Sequence, residues 1–137
     1  MGILIKPIPA QATWALRHYV MWPNKPLEYI KLPEDQHGIH FGLFRDEEMV
    51  TVASLFIKDD SAQFRKLATK TTEQGKGYGR QMLKHLLQEA QRIGVKKIWC
   101  NARRDKTDFY LKFGLTETPV TYSKGHIDFV VMEKILP

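Results

Sequence analysis

The sequence predicts an α/β fold, with a mixed, mostly antiparallel central sheet, flanking helices and one parallel βαβ unit. Three observations carry this. Strand-like segments gather at residues 38–69 and again after residue 114, the strongest helical period follows residue 78, and a glycine run, Gln74-Gly75-Lys76-Gly77-Tyr78-Gly79, joins the two patterns. A chain of 137 residues, 43% apolar and 26% charged, has the size and composition of one globular domain, so residues 1–137 are expected to form a single domain.

Taken in order, residues 3–8 alternate enough for a short strand, and residues 10–20 have helical spacing through Ala12, Leu16 and Tyr19/Val20. Pro23 and Pro26 end that helix. Residues 22–36 have no clean period and read as a long loop with room for a helical turn. From Gly38, Ile39, Phe41 and Leu43 alternate with His40, Gly42 and Phe44, the period of a half-buried strand that turns His40 to its polar side. After a turn at residues 45–48, residues 50–57 are β-rich, and residues 58–61 turn the chain into a strand over residues 62–69.

Beyond the glycines, Tyr78, Met82, Leu83, Leu86, Leu87, Ala90 and Ile93 recur at three- and four-residue spacing, and Gly94 stands where a left-handed cap would. Residues 96–100 form a short strand, parallel to residues 62–69 if the helix between them is a crossover. Asp105 is placed to cap a helix over residues 106–113, closed by Gly114. Strands follow at residues 115–118 and 126–135, leaving residues 119–125 as a loop. The order is β-α-β-β-β-α-β-α-β-β, with the glycine run at the one parallel crossover, where open sheets collect ligands.

Composition narrows the function classes. No apolar run approaches the roughly 20 residues of a membrane span, so no membrane association is expected. The apolar stretch at the N-terminus is too short for a secretory signal and Cys100 is the single cysteine, which together favour a cytoplasmic location. The formal net charge of +6 raises the question of nucleic acid, but the lysines and arginines are dispersed, which makes that partner unlikely. His37 and His40 lack further ligands at metal spacing, and no metal is expected.

Glycines between a strand and a helix suit an anion, because the backbone can be approached closely and the first helical amides lack internal partners. The run is not a P-loop, since Lys76 is followed by Gly77 rather than by Ser or Thr. Nor is its Gly-x-Gly-x-Gly spacing the dinucleotide fingerprint, although Arg103 and Arg104 after the next strand keep an NADP-type cofactor as a lesser alternative.

The pattern Gln/Arg-x-x-Gly-x-Gly/Ala is met by Gln74, Gly77 and Gly79, and Asp108-Phe109-Tyr110-Leu111-Lys112-Phe113-Gly114-Leu115 follows some thirty residues later. With both elements inside this order of strands and helices, the chain resembles the GCN5-related N-acetyltransferase (GNAT) superfamily over nearly its whole length. The resemblance implies acetyl-CoA as co-substrate and direct attack by an amine on the thioester. It implies that the diphosphate meets Gln74, Gly75, Lys76, Gly77, Tyr78, Gly79 and Arg80, and that the strand before the loop splays so that Leu67, Ala68 and Thr69 pair with the pantetheine arm. It also implies that Tyr110 protonates the departing thiolate. Asn101, at the end of its strand, and Lys106 are further cofactor candidates, although the family's usual asparagine and small residue, counted back from the tyrosine, fall on Arg103 and Lys106.

The acceptor half is less legible. Asp35, His37, His40, His126 or a water chain are alternatives for the base that takes the amine proton, and Arg17 is a candidate to bind an acidic acceptor group. The acceptor region itself is expected from the first helix, residues 22–37 and residues 119–125. A small-molecule amine fits this reading better than a protein tail, and a homodimer is compatible with it. The reading from another class is a non-catalytic CoA-binding or nucleic-acid-associated module.

Overall fold

The computed structural model describes residues 2–137. Its strands are β1 (Ile3–Ile8), β2 (Ile39–Arg45), β3 (Glu48–Lys58), β4 (Ser61–Thr69), β5 (Lys97–Arg103), β6 (Thr116–Lys124) and β7 (Ile127–Ile135), and its helices are α1 (Gln11–Met21), α2 (Tyr78–Ile93) and α3 (Thr107–Leu111). The seven strands follow the order β1-β2-β3-β4-β5-β7-β6. The predicted order of elements is found, with the parallel pair at β4 and β5. The chain clusters into two compact units, the first made of the residues up to Phe56 with Arg65–Leu86 and the second of Ile57–Phe64 with Leu87–Pro137, so that β3, β4 and α2 run through both.

In the first unit, β1 pairs antiparallel with β2 from Ile3↔Arg45 to Ile8↔His40, and β2 with β3 from Ile39↔Leu55 to Arg45↔Glu48. The core takes Phe41, Leu43, Val50, Val52 and Leu55 from the strands and Met82, Leu83 and Leu86 from α2. Leu16 of α1 joins Val52 and Ala68, with Ile8, Val20 and Met49 packed against them. The residues expected to form a loop between α1 and β2 make two 3-10 turns, Leu27–Ile30 and Pro33–His37.

Two findings concern facing. Helix α1 buries Thr13, Leu16 and Arg17, and of the Tyr19/Val20 alternatives Val20 packs against the core while Tyr19 is exposed. His40, expected on the polar side of β2, is 4% exposed. Both follow from one buried polar cluster. The Arg17 guanidinium donates to both oxygens of Asp35 at 2.8 and 3.0 Å and to Ser54 Oγ at 2.9 Å. The Asp35 carboxylate also accepts from Trp14 Nε1 at 3.1 Å and from the Leu32 amide at 3.0 Å. His40 Nε2 lies 2.8 Å from the Asp35 carbonyl, which can only accept, so Nε2 is the donor there, and Nδ1 lies 2.7 Å from Ser54 Oγ.

In the second unit, β4 and β5 run parallel through Ser61↔Lys97, Ala62↔Ile98 and Gln63↔Trp99. Strand β5 then continues against β7 from Lys97↔Ile135 to Arg103↔Phe129. It therefore runs past residue 100, and Asn101 sits within it opposite Val131 rather than at its end. The predicted cap at Asp105 is not formed. A 3-10 turn, Arg104–Lys106, precedes α3, Lys106 is the N-cap residue without a side-chain bond, and Asp105 instead lies 3.6 Å from Arg103. Residues 119–125 are not a loop, because β6 extends through Lys124 and reverses at Gly125 and His126, with a register shift between Glu117 and Thr121.

The Arg17–Asp35 pair sets a pH dependence. Burial opposes the Asp35 charge, but the bonds from Arg17, Leu32 and Trp14 and the Arg17 charge outweigh it and lower its pKa. A depressed folded value gives stability that is complete above the unfolded pKa of about 3.9 and lost as pH falls through the lower folded value. Urea titrations of the wild type between pH 7 and pH 3 should show this loss, and Asp35→Asn should flatten that limb. Arg17→Met at pH 7 should cost about 3 kcal/mol, since it leaves a buried carboxylate without its cation.

Candidate active site

The expected site residues fall into two groups, one in each compact unit. In the first group, β4 carries Lys66 in the left-handed region at φ 58°, an interruption of the pleat of the kind a bulge makes. Leu67 and Thr69 are half-buried and Ala68 is buried. The ladder to β5 ends at Gln63, so no register partner from β5 reaches Leu67, Ala68 or Thr69. Thr69 Oγ1 lies 3.1 Å from Thr51 Oγ1, and the Thr69 carbonyl accepts from Gln74 Nε2 at 3.1 Å. Gln74 thus ties the loop back to the strand it leaves.

The loop begins with a 3-10 turn, Thr71–Glu73. Gly75 at φ 81° and Gly77 at φ 88° occupy the left-handed region, which a Cβ disfavours by roughly 1–2 kcal/mol. Neither has another heavy atom within 4 Å of where a Cβ would stand, so the backbone rather than crowding requires glycine. The Gln81 amide donates to the Gly77 carbonyl at 3.1 Å and opens the sixteen-residue α2. No acidic residue lies in its first turn. The amides of Tyr78, Gly79 and Arg80 therefore stand at a helix N-terminus with positive potential and no carboxylate beside them. At Gly79 a Cβ would meet only Thr69 Oγ1, at 3.8 Å, and the Arg80 side chain is exposed. The Lys76 ammonium is held 3.3 Å from Glu73.

In the second group, the Tyr110 ring on α3 packs against Phe64 and Phe109 at centroid distances of 5.8 and 5.2 Å. Burial first, and then the Cys100 charge, push its pKa up to about 12, so its phenol stays protonated across the neutral range. Burial alone pushes the Cys100 thiol up to about 12. Asn101 and Lys106 are exposed, as are Arg103 and Arg104.

Of the base candidates, Asp35 and His40 are engaged within the buried cluster, as is Arg17, which is 1% exposed and turned to Asp35 rather than to an acceptor. His37 is exposed at the end of its 3-10 turn, and His126 is exposed at the β6–β7 reversal. Arg45, Glu73 and Ser54 escape sequence reading. Only Ser54 carried a signal, as a hydroxyl within the apolar run of residues 50–57. Among the described residues, no group of three or more His, Cys, Asp or Glu side chains is placed to hold a metal, and no helix is long and apolar enough to cross a membrane.

A strand, a left-handed glycine loop and a helix with no acid in its first turn are the backbone arrangement that suits an anion. The family described as "Acetyltransferase (GNAT) domain" matches residues 14–136. The chain belongs to the GNAT acetyltransferase family. That membership makes it an acyltransferase of the N-acetyltransferase type and sets aside the dinucleotide reading. The chain is 28% identical to the "Uncharacterized N-acetyltransferase YitI" of Bacillus subtilis (strain 168), over 96% of this chain and 95% of that one. In fold it is similar to a putative N-acetyltransferase from Lactobacillus plantarum, with a TM-score of 0.88, 20% identity and full coverage of both chains. It is also similar to a GNAT family acetyltransferase from Elizabethkingia anophelis with acetyl-CoA bound, with a TM-score of 0.74, 20% identity and 98% of each chain covered.

The single cysteine of this GNAT protein offers a check on packing. With its thiol buried and its pKa raised to about 12, Cys100 should resist iodoacetamide at pH 8 in the native protein and react at the rate of a free thiol in denaturant. Native labelling at the denatured rate, followed by mass spectrometry, would contradict the packing described around β5.

Proposed function

We propose that the protein transfers the acetyl group of acetyl-CoA to the amine of a small acceptor, by direct attack within a ternary complex, with residues 1–137 working as one N-acetyltransferase domain in the cytoplasm. The single observation that supports the donor most is the loop from Gln74 to Gly79. Two left-handed glycines lead into a sixteen-residue helix with no acid in its first turn. In this reading the diphosphate is met by the amides of Gly75 to Gly79, with Arg80 adding exposed positive charge. The early end of the β4–β5 ladder supports the arm of the donor pairing with Leu67, Ala68 and Thr69. Asn101 and Lys106 are proposed as outer contacts to the same donor.

In the reaction, the acceptor nitrogen attacks the thioester carbon with its lone pair. A nitrogen–carbon bond forms, the carbon–sulfur bond breaks, and the electron pair leaves on sulfur. The nitrogen gives its extra proton to a base and the thiolate receives one from an acid. Tyr110 is the proposed acid. With Asp35 and His40 saturated by structural partners, the exposed His37 or His126, or a water chain, takes the amine proton.

The donor assignment is checked by thermal shift: acetyl-CoA at one hundred times its Kd should stabilise the protein by about 2.7 kcal/mol. No shift with acetyl-CoA together with one on NADPH would remove it. An amine panel read by free-CoA release, with mass detection of the acetylated product, then identifies the acceptor. Tyr110→Phe should lower kcat by at least about a hundredfold and leave acetyl-CoA affinity within about twofold. Unchanged turnover at intact affinity would end the acid assignment.

A further inference from the structure

The glycine loop is flanked by charged side chains that pair with one another. Glu73, the last residue of the 3-10 turn before the loop, is 8% exposed. Its carboxylate accepts from Arg45 at the end of β2 and lies 3.3 Å from Lys76 within the loop. Arg45 also reaches Glu48 at 3.5 Å, and its pKa is raised by Tyr78, the first residue of α2, and by the Glu73 and Glu48 charges. Lys70 pairs with Glu48 at 2.5 Å. Arg45 is itself fixed by backbone pairing to Ile3 on one side and Glu48 on the other. One guanidinium on the sheet thus holds the residue that immediately precedes the loop.

Two consequences follow from the charges. Lys70 before the loop and Lys76 within it already have carboxylate partners, so an arriving anion gains less from either than from an unpaired ammonium. Glu73, by contrast, is nearly buried, and its attachment to the sheet depends on Arg45. Without that cation the carboxylate must turn out to be hydrated, carrying with it the turn that closes through Glu73 N–H to the Lys70 carbonyl at 2.8 Å.

We propose that Arg45, acting through the buried Glu73 carboxylate, is the positioning residue that holds the glycine loop in its diphosphate-binding conformation, and that Lys76 contributes less to that binding than Arg45 does. The inference rests on the reading of this loop as the diphosphate site of acetyl-CoA. It adds to that reading a residue that touches no ligand.

The test is calorimetric titration of the full chain with CoA. Arg45→Ala should raise Kd about tenfold through loop misplacement, and Arg45→Lys by about threefold. Lys76→Ala should stay within about threefold of the wild type. Because Arg45 acts through Glu73, adding Arg45→Ala to Glu73→Gln should change Kd by less than about twofold further. Wild-type affinity in Arg45→Ala, a larger loss in Lys76→Ala than in Arg45→Ala, or multiplying losses in the double variant would overturn the proposal. Gly77→Val separates the two failures. If it binds CoA normally, the loop reading falls and the proposal with it; if it binds weakly while Arg45→Ala binds normally, only the role of Arg45 falls.

Discussion

The first unit depends on one buried ion pair. Arg17 and Asp35 each require the other, because neither charge would be tolerated alone at 1% and 4% exposure. Around them, Trp14 and the Leu32 amide fill the remaining acceptor positions of the carboxylate, and Ser54 links the guanidinium to His40. The result joins α1, the Pro33–His37 turn, β2 and β3 by directional bonds. A segment that is poor in apolar residues and rich in proline is thereby given one conformation, where hydrophobic burial alone would leave it several. The same bonds explain why His40 and Asp35 make poor bases: their proton-accepting atoms are already occupied.

The glycine loop is constrained differently. Its ends are fixed by β4 and α2, and its interior takes backbone angles that two glycines make accessible. Between these, Gln74 bonds back to Thr69, and Glu73 is clasped by Arg45. The charged side chains of this segment are thus largely spent on one another.

How legible each part was in the sequence depends on whether burial left a pattern. Strand β7 alternates buried and half-buried positions around Val130 and Met132 and was readable, as was α2 with its row from Met82 to Ala90. Strand β6 is exposed along almost its whole length, so residues 119–124 carry no alternation and read as loop. Pro119 and the shifted register around it added to that impression, and both are devices that blunt a sheet edge against further pairing. Helix α1 misled in another way: an arginine at a core position does not look like core unless its partner, eighteen residues on, is known. The site followed the same rule. The glycine run and the Phe109-Tyr110 segment are local and were legible, whereas Arg45 and Glu73 meet only through folding.

The chemistry proposed for Tyr110 is sharpened by its surroundings. At a pKa of about 12 the phenol is a weaker acid than a CoA-like thiol near 8.5, by roughly 3.5 units or about 5 kcal/mol for complete transfer. A free thiolate in water would therefore not take this proton to any useful extent. The gap narrows inside a dry site, where the thiolate also loses hydration and becomes a stronger base, and where the phenol already donates a hydrogen bond as the carbon–sulfur bond lengthens. The proposed acid then works chiefly by stabilising charge on sulfur as it develops, with the proton passing late. That role needs the hydroxyl to be protonated, which an ordinary phenol already is near neutral pH, and burial extends that range upward.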